Sequence, residues 1–281
     1  MTSFSDHPTP LPARRRRSRR SGRHRGEGAF AIPPDSPALV LAAPGRSGVP
    51  GTLAIAELAD FARVAHPGLP IHVAHLDDLE SVLAGLNPDL SDDMPAAVVV
   101  PQTTGPHAQV DAALRAAVDA VDSDDRPIVL AEPLGPHPLV AEALHVRLAE
   151  AGLARADRVR LLTMVTAADG ILLASTGGEE AVQETEINCV LLASRLAVPV
   201  VPVSLDDVPA AGEVARRLKA AGTTRLAIAP CFIGPEADPD QLLGLASETG
   251  AESAQPLGAH PSLVQLTALR YAEALEKVLT D

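Results

Sequence analysis

The chain has 281 residues, of which 46% are apolar but only 2% aromatic, with no Trp. That length can bury one large or two modest cores, filled by Val, Leu and Ala, while the shortage of aromatics argues against a base-stacking platform for single-stranded nucleic acid. The net charge of −13 hides an asymmetry: residues 1–35 carry eight Arg against Asp6, Glu27 and Asp35, a balance of +5, and the remainder stands at −18, so the body does not have the charge of a nucleic-acid binder.

The first 35 residues contain ARRRRSRRSGRHRG (13–26) and no apolar periodicity. They predict a disordered, solvated arm whose like charges repel, capable at most of weak contacts with nucleic acid or anionic lipid. No apolar stretch follows the Arg pairs, which argues against a secretory signal. No apolar run reaches transmembrane length. The two cysteines, Cys189 and Cys231, form neither a disulfide framework nor a CxxC pair, so a reduced, cytoplasmic setting is expected.

From residue 38 onward, apolar strands alternate with helices. ALVLAA (38–43) reads as a buried strand ended by Pro-Gly, and TLAIAELADFARVA (52–65) as a helix with Leu53, Ala56, Leu58 and Phe61 near helical spacing. IHVAHL (71–76), AAVVVPQ (96–102) and PIVLAE (127–132) are strands; DLESVLAGL (78–86) and VDAALRAAVDAV (110–121) are helices. Pro138 suits the first turn of a further helix that stops at Gly152. The pattern then resumes with GILLAS (170–175), INCVLLASRL (187–196), VPVVPVSL (198–205), AGEVARRLKAAG (211–222), RLAIAP (225–230) and a terminal helix over 263–278. Such alternation calls for parallel sheets covered on both faces, an α/β fold.

The second series repeats the first. LVLAAPG (39–45) returns as ILLASTG (171–177), LPIHVAHLDD (69–78) as VPVVPVSLDD (198–207), VVVPQTTG (98–105) as AIAPCFIG (227–234), and EPLGPHPL (132–139) as QPLGAHPSL (255–263). The offsets run from 132 through 129 to 123, as small loop deletions produce. The unit is domain-sized, too long for a solenoid repeat. The expected organisation is therefore two tandem domains related by internal duplication, 36–152 and 170–281, joined by a connection over 153–169 and preceded by the tail 1–35. A cleft between them is the natural site.

In parallel sheets, ligands sit beyond the carboxyl ends of the strands. That edge of the first domain gathers His75, Asp77, His107 and His137, with Asp111 one turn beyond His107. Imidazole and carboxylate together suit a borderline divalent metal, although the spacing is no known zinc signature. His137 recurs as His260 inside the repeated PLGxHP turn, so it is read as serving the shared fold through a hydrogen bond at the turn or helix start. His66, His72 and His145 read as surface or packing residues. His107 has no histidine twin; Cys231, Phe232 and Glu236 lie near its counterpart, and this asymmetry marks it as the functional candidate. No GxGxxG, P-loop or GxSxG motif follows a strand, so no nucleotide cofactor and no serine hydrolase are expected.

On the PLGPHPL and PLGAHPSL turns, the VVVP strand followed by GPHAQVD (105–111), and the HLDD strand end (75–78), residues 38–278 resemble the sirohydrochlorin chelatases. These are the class II, ATP-independent tetrapyrrole metal chelatases, and the likeness is to their long actinobacterial form with two fused halves. The resemblance implies two chelatase-like domains facing a cleft, a histidine pair that binds metal and accepts pyrrole protons, and a supporting acid. His107 and Asp111 match the catalytic stretch, and Asp77 matches a position usually held by Glu. The metal is then expected at His107, His75 and Asp77. The first strand normally ends in His-Gly-Ser, whereas this chain has Pro44-Gly45-Arg46-Ser47, so the first catalytic histidine is missing. Gly45 survives, and Arg46 can clamp a tetrapyrrole carboxylate; Arg126 is a second basic candidate. The implied activity is insertion of Fe2+ or Co2+, with Ni2+ as a third choice, into a tetrapyrrole for siroheme or cobalamin synthesis. A non-catalytic metal- or tetrapyrrole-binding relative is the other reading.

Overall fold

The computed structural model describes residues 36–48, 52–86, 94–105, 107–123, 127–155, 167–234 and 236–280. The Arg-rich stretch and Arg126 lie outside them. The first half forms β1 (Ala38–Ala43), α1 (Thr52–Ala65), β2 (Ile71–His75), α2 (Leu79–Gly85), β3 (Ala97–Pro101), α3 (Ala108–Asp119), β4 (Ile128–Leu130) and α4 (Pro138–Glu150). The second forms β5 (Gly170–Ser175), α5 (Gly178–Glu184), α6 (Glu186–Leu196), β6 (Val200–Ser204), α7 (Val208–Ala220), β7 (Leu226–Pro230), α8 (Pro239–Thr249), β8 (Glu252–Ser253) and α9 (Pro261–Thr280). Of these, α5 adds to the elements expected from sequence, while α8 and β8 take the places that a second β-α-β-α-β-α-β-α series calls for.

The strands make two four-stranded parallel sheets with the same order, β2-β1-β3-β4 and β6-β5-β7-β8. The repeat blocks VVVP and AIAP occupy equivalent strands in one register: Ala42 lies opposite Pro101, and Ala174 opposite Pro230. Successive residues of a strand point to opposite faces, and both faces are apolar here. Leu39, Leu41 and Ala43 of β1 enter a central core, while Ala38, Val40 and Ala42 enter an outer core under α2 and α3. In β5, Ile171 and Leu173 face the center; Leu172 and Ala174 face an outer core under α7 and α8.

The central core belongs to both halves. α4 leaves its own half to pack against α6 and β7, and α9 packs against α1, β3 and β4. Each half thus lends its last helix to the other's sheet, and the described residues form one compact unit even though the sequence repeat divides them into two. Reciprocal hydrogen bonds fix the exchange. Arg147 on α4 donates through Nε and Nη2 to the Leu257 carbonyl, at 3.0 and 2.7 Å, and Arg270 on α9 donates through Nε to the Pro133 carbonyl at 2.8 Å. Each guanidinium also pairs with a glutamate one turn on, Glu150 or Glu273, at 2.8 and 2.9 Å. Tyr271 adds a bond from α9 to the Pro37 carbonyl at 2.7 Å.

The structure corrects the buried face of α1. Ile55, Leu58, Ala59 and Ala62 are buried, at i, i+3, i+4 and i+7, whereas Leu53 and Phe61 are exposed. Among the described residues no helix is long and apolar enough to cross a membrane.

Candidate functional site

The PLG turns position the site. Leu134 and Gly135 donate their N–H groups to the Thr103 carbonyl, at 2.9 and 3.4 Å; Leu257 and Gly258 donate to the Phe232 and Ile233 carbonyls, at 3.0 and 2.9 Å. Each turn therefore holds the loop that follows the third strand of its own half. A Cβ at Gly135 would collide with the Thr104 backbone carbonyl, which accounts for glycine there. His137 then starts α4, its Nδ1 accepting the Leu139 N–H at 3.1 Å, and His260 starts α9 by accepting the Ser262 N–H at 3.2 Å. Burial, by withdrawing solvent from the charged form, lowers the pKa of both imidazoles, and Arg270 beside His137 and Arg147 beside His260 lower it further.

The two third-strand loops meet across the halves. Thr104 Oγ1 donates to the Cys231 carbonyl at 2.6 Å, and Asn188 Nδ2 donates to the Thr104 carbonyl at 3.2 Å. Between them lies a cavity of about 30 Å3, lined by Thr103, His107, Ser175, Thr176, Cys231 and Glu236 among others. A water needs about 10–15 Å3 by this measure, so the space admits one or two water-sized species.

His107 is the N-cap residue of α3. Its ring crosses to the second half, where Nε2 lies 2.5 Å from the point a Cβ of Gly177 would occupy. Gly177 has φ 100°, so both its backbone and its contact require glycine. The Asp111 carboxylate accepts the backbone N–H of His107 at 3.2 Å. Asp111 thus braces the start of the helix, and this bond leaves the imidazole to the cleft.

The structure does not gather His75, Asp77 and His107 into one metal-ligand group. His75 and Asp77 end or follow β2, which is separated from β3 by β1. Among the described residues no group of three or more His, Cys, Asp or Glu side chains can hold a metal. Asp77 instead accepts both the N–H and the hydroxyl of Ser47, each at 3.0 Å, and those bonds, the backbone one foremost, lower its pKa. Asp206, its twin, accepts the N–H groups of Gly177 and Gly178 at 2.9 and 3.0 Å. Each aspartate clasps the loop after the first strand of its half. His75 Nε2 is buried without a hydrogen-bond partner. Pro44 is buried at the end of β1; Arg46 is exposed in the following loop, and Gly45 turns that loop with φ 89°.

Sequence reasoning missed Glu236 as the counterpart of His107. GPH (105–107) and GPE (234–236) stand at the same offset of 129 as their strands, which is the signal that could have found it. Glu236 Oε1 accepts the Ile233 N–H at 3.0 Å and Oε2 the Gly234 N–H at 2.8 Å. Burial of the carboxyl pushes its pKa up. Burial also raises the Cys189 thiol to about 12 and the Cys231 thiol to about 11, so neither is a nucleophile near neutrality.

No protein-family model and no curated protein matches the sequence. In three dimensions the chain is similar to the sirohydrochlorin chelatase SirB from Bacillus subtilis subspecies spizizenii in complex with cobalt, with TM-score 0.57 and 13% identity over 86% of this chain and 96% of that one. SirB from Bacillus subtilis with Fe3+ gives 0.59 and 14% over 87% and 98%. CbiX, the terminal enzyme for biosynthesis of siroheme in denitrifying bacteria, gives 0.57 and 17% over 85% and 99%. The chain therefore has the class II chelatase-like fold, with two parallel four-stranded sheets and the sheet order repeated in each half.

Proposed function

We propose that this protein is a cytoplasmic, ATP-independent tetrapyrrole chelatase that inserts Fe2+ or Co2+ at the cleft between its halves, with His107 as the group that meets the metal and takes up pyrrole protons. The observation that carries this reading is the placement of His107: a ring from one half reaching the other at the carboxyl ends of the strands, in a fold shared with solved chelatases. Insertion releases two N–H protons, and a neutral imidazole is a base that can accept them. One base serves both transfers in turn if it hands each proton to solvent. The exposed guanidinium of Arg46 is available for a substrate carboxylate. Asp111 acts through the backbone, holding the start of α3.

The buried Pro44 favors a second reading, a relative that binds metal or tetrapyrrole without turnover, because proline neither ligates a metal nor moves a proton. One assay separates the two: the absorbance of sirohydrochlorin followed with Fe2+, Co2+ and Ni2+, using wild type and His107→Ala. Turnover lost in the variant supports the chelatase. Binding without turnover for every metal supports the second reading, and equal turnover in wild type and variant removes His107 from the mechanism.

A further inference from the structure

We infer that the second half supplies a metal donor of its own: Glu236 and His107, from equivalent positions of the two halves, hold one divalent cation between them, with the Ser175 and Thr103 hydroxyls as supporting oxygens. The inference rests on reading this cleft as a site that handles a divalent metal. All four residues line the same small cavity. Ser175 and Thr103 are 6% and 4% exposed, and neither hydroxyl oxygen has a hydrogen-bond partner. Buried hydroxyls are rarely left unsatisfied, so two on one cavity wall point to a species that occupies it.

Glu236 presents the complementary feature. Its two oxygens each accept one backbone N–H, and an ionised carboxylate has about four acceptor positions, so lone pairs remain. Among the described residues no Lys or Arg pairs with it. Glu236 is half-buried, and a carboxylate drawn partly out of water without a cation beside it is favored by a divalent ion in the cavity. Imidazole nitrogen with carboxylate and hydroxyl oxygen is a donor set for a borderline ion such as Co2+ or Fe2+. The cavity volume of about 30 Å3 suits a single ion or water. Two strong protein donors also leave coordination positions open, as a site that must release its metal to pyrrole nitrogens requires. The pairing accounts for Pro44 as well: the donor missing from the first strand of one half is replaced from the third-strand loop of the other.

The test is Co2+ binding to the full-length protein without tetrapyrrole, read by calorimetry and by the visible absorption of the bound ion. Wild type is expected to take up one Co2+. Glu236→Gln should weaken binding about tenfold or more, since even outer-shell partners of a ligand are worth about that much, and thermal unfolding controls for its fold. Glu236→His should keep the ion but move the absorption band, because nitrogen replaces oxygen. His66→Gln, away from the cavity, should match wild type. No uptake by wild type, unchanged affinity in Glu236→Gln, a band indifferent to Glu236→His, or weakened binding in His66→Gln each overturns the inference. Co2+ binding that depends on Glu236 without metal insertion into sirohydrochlorin sinks only the proposed activity. Insertion that persists while Glu236→Gln binds Co2+ like wild type sinks only the present inference.

Discussion

Replacing Gly177 by alanine tests whether His107 works where the structure places it. Two costs arise. At φ 100° an L side chain is strained, by about 1–2 kcal/mol for left-handed backbone. The new Cβ also falls 2.5 Å from His107 Nε2 and 2.9 Å from the Ala181 Cβ. Ordinary contact between such atoms is about 3.5–4.0 Å, so the imidazole must retreat by about 1 Å. A displacement of that size at a reacting group costs about 100-fold in rate. The strain alone should lower Tm by about 2–8 °C for a protein of this size.

Gly178→Ala separates the two effects. Gly178 also has positive φ, 78°, yet nothing lies within 4 Å of its Cβ position. Both variants should lose stability in thermal unfolding, and only Gly177→Ala should lose Co2+ binding or metal insertion. If Gly177→Ala functions like Gly178→Ala, the contact of His107 with the second half has no part in the working site. The assignment of the cleft then fails.

His137→Ala and His260→Ala remove helix-start acceptors and should each cost about 1 kcal/mol in denaturant unfolding, leaving metal binding intact. Because burial depresses both pKa values, the unfolded chain binds more protons between the lowered and ordinary values. Stability from these bonds is thus full above the ordinary histidine pKa and lost as pH falls through the lowered one; replacing both residues by Asn should flatten that acid limb. Arg147→Ala and Arg270→Ala should each cost about 1.5–3 kcal/mol, the range for hydrogen bonds from charged groups, and Arg147→Lys should not restore the loss because two guanidinium nitrogens reach one carbonyl. Pro44→His should raise an existing insertion rate modestly if the protein is a chelatase, or create turnover where wild type has none if it is a binding relative; the sirohydrochlorin absorbance assay reads either result.

The repeat in the sequence made the two sheets legible, because apolar runs of the same length in the same order leave few arrangements for a parallel sheet. It did not reveal that α4 and α9 change places. Periodicity marks that a helix face is apolar but not which sheet the face meets. The signal for the exchange was present only as Arg147-x-x-Glu150 and Arg270-x-x-Glu273 at the offset of the PLGxHP turns. In α1, bulk misdirected the reading toward Leu53 and Phe61, while the small residues Ala59 and Ala62 set the packing. The short α5 carries too little pattern to be read, and the two-residue β8 is legible only as the place a fourth strand of the repeat must fill.

Duplication also sorts the site residues. A side chain with a twin in the same bond is explained by the fold: His137 and His260 start helices, Asp77 and Asp206 clasp loops, and Arg147 and Arg270 lock the exchanged helices. That logic accounts for the twin bonds of Asp77 and Asp206 by the loops they hold. It acts oppositely at His107 and Glu236. Their positions are equivalent in the repeat but their chemistry differs, and the loops that lead to them are held by the two PLG turns. A scaffold that needed only a loop brace at this position would tolerate one residue type in both halves. On the proposed reading, imidazole from one half and carboxyl from the other complement each other across the cavity that both line, a junction that neither half builds alone.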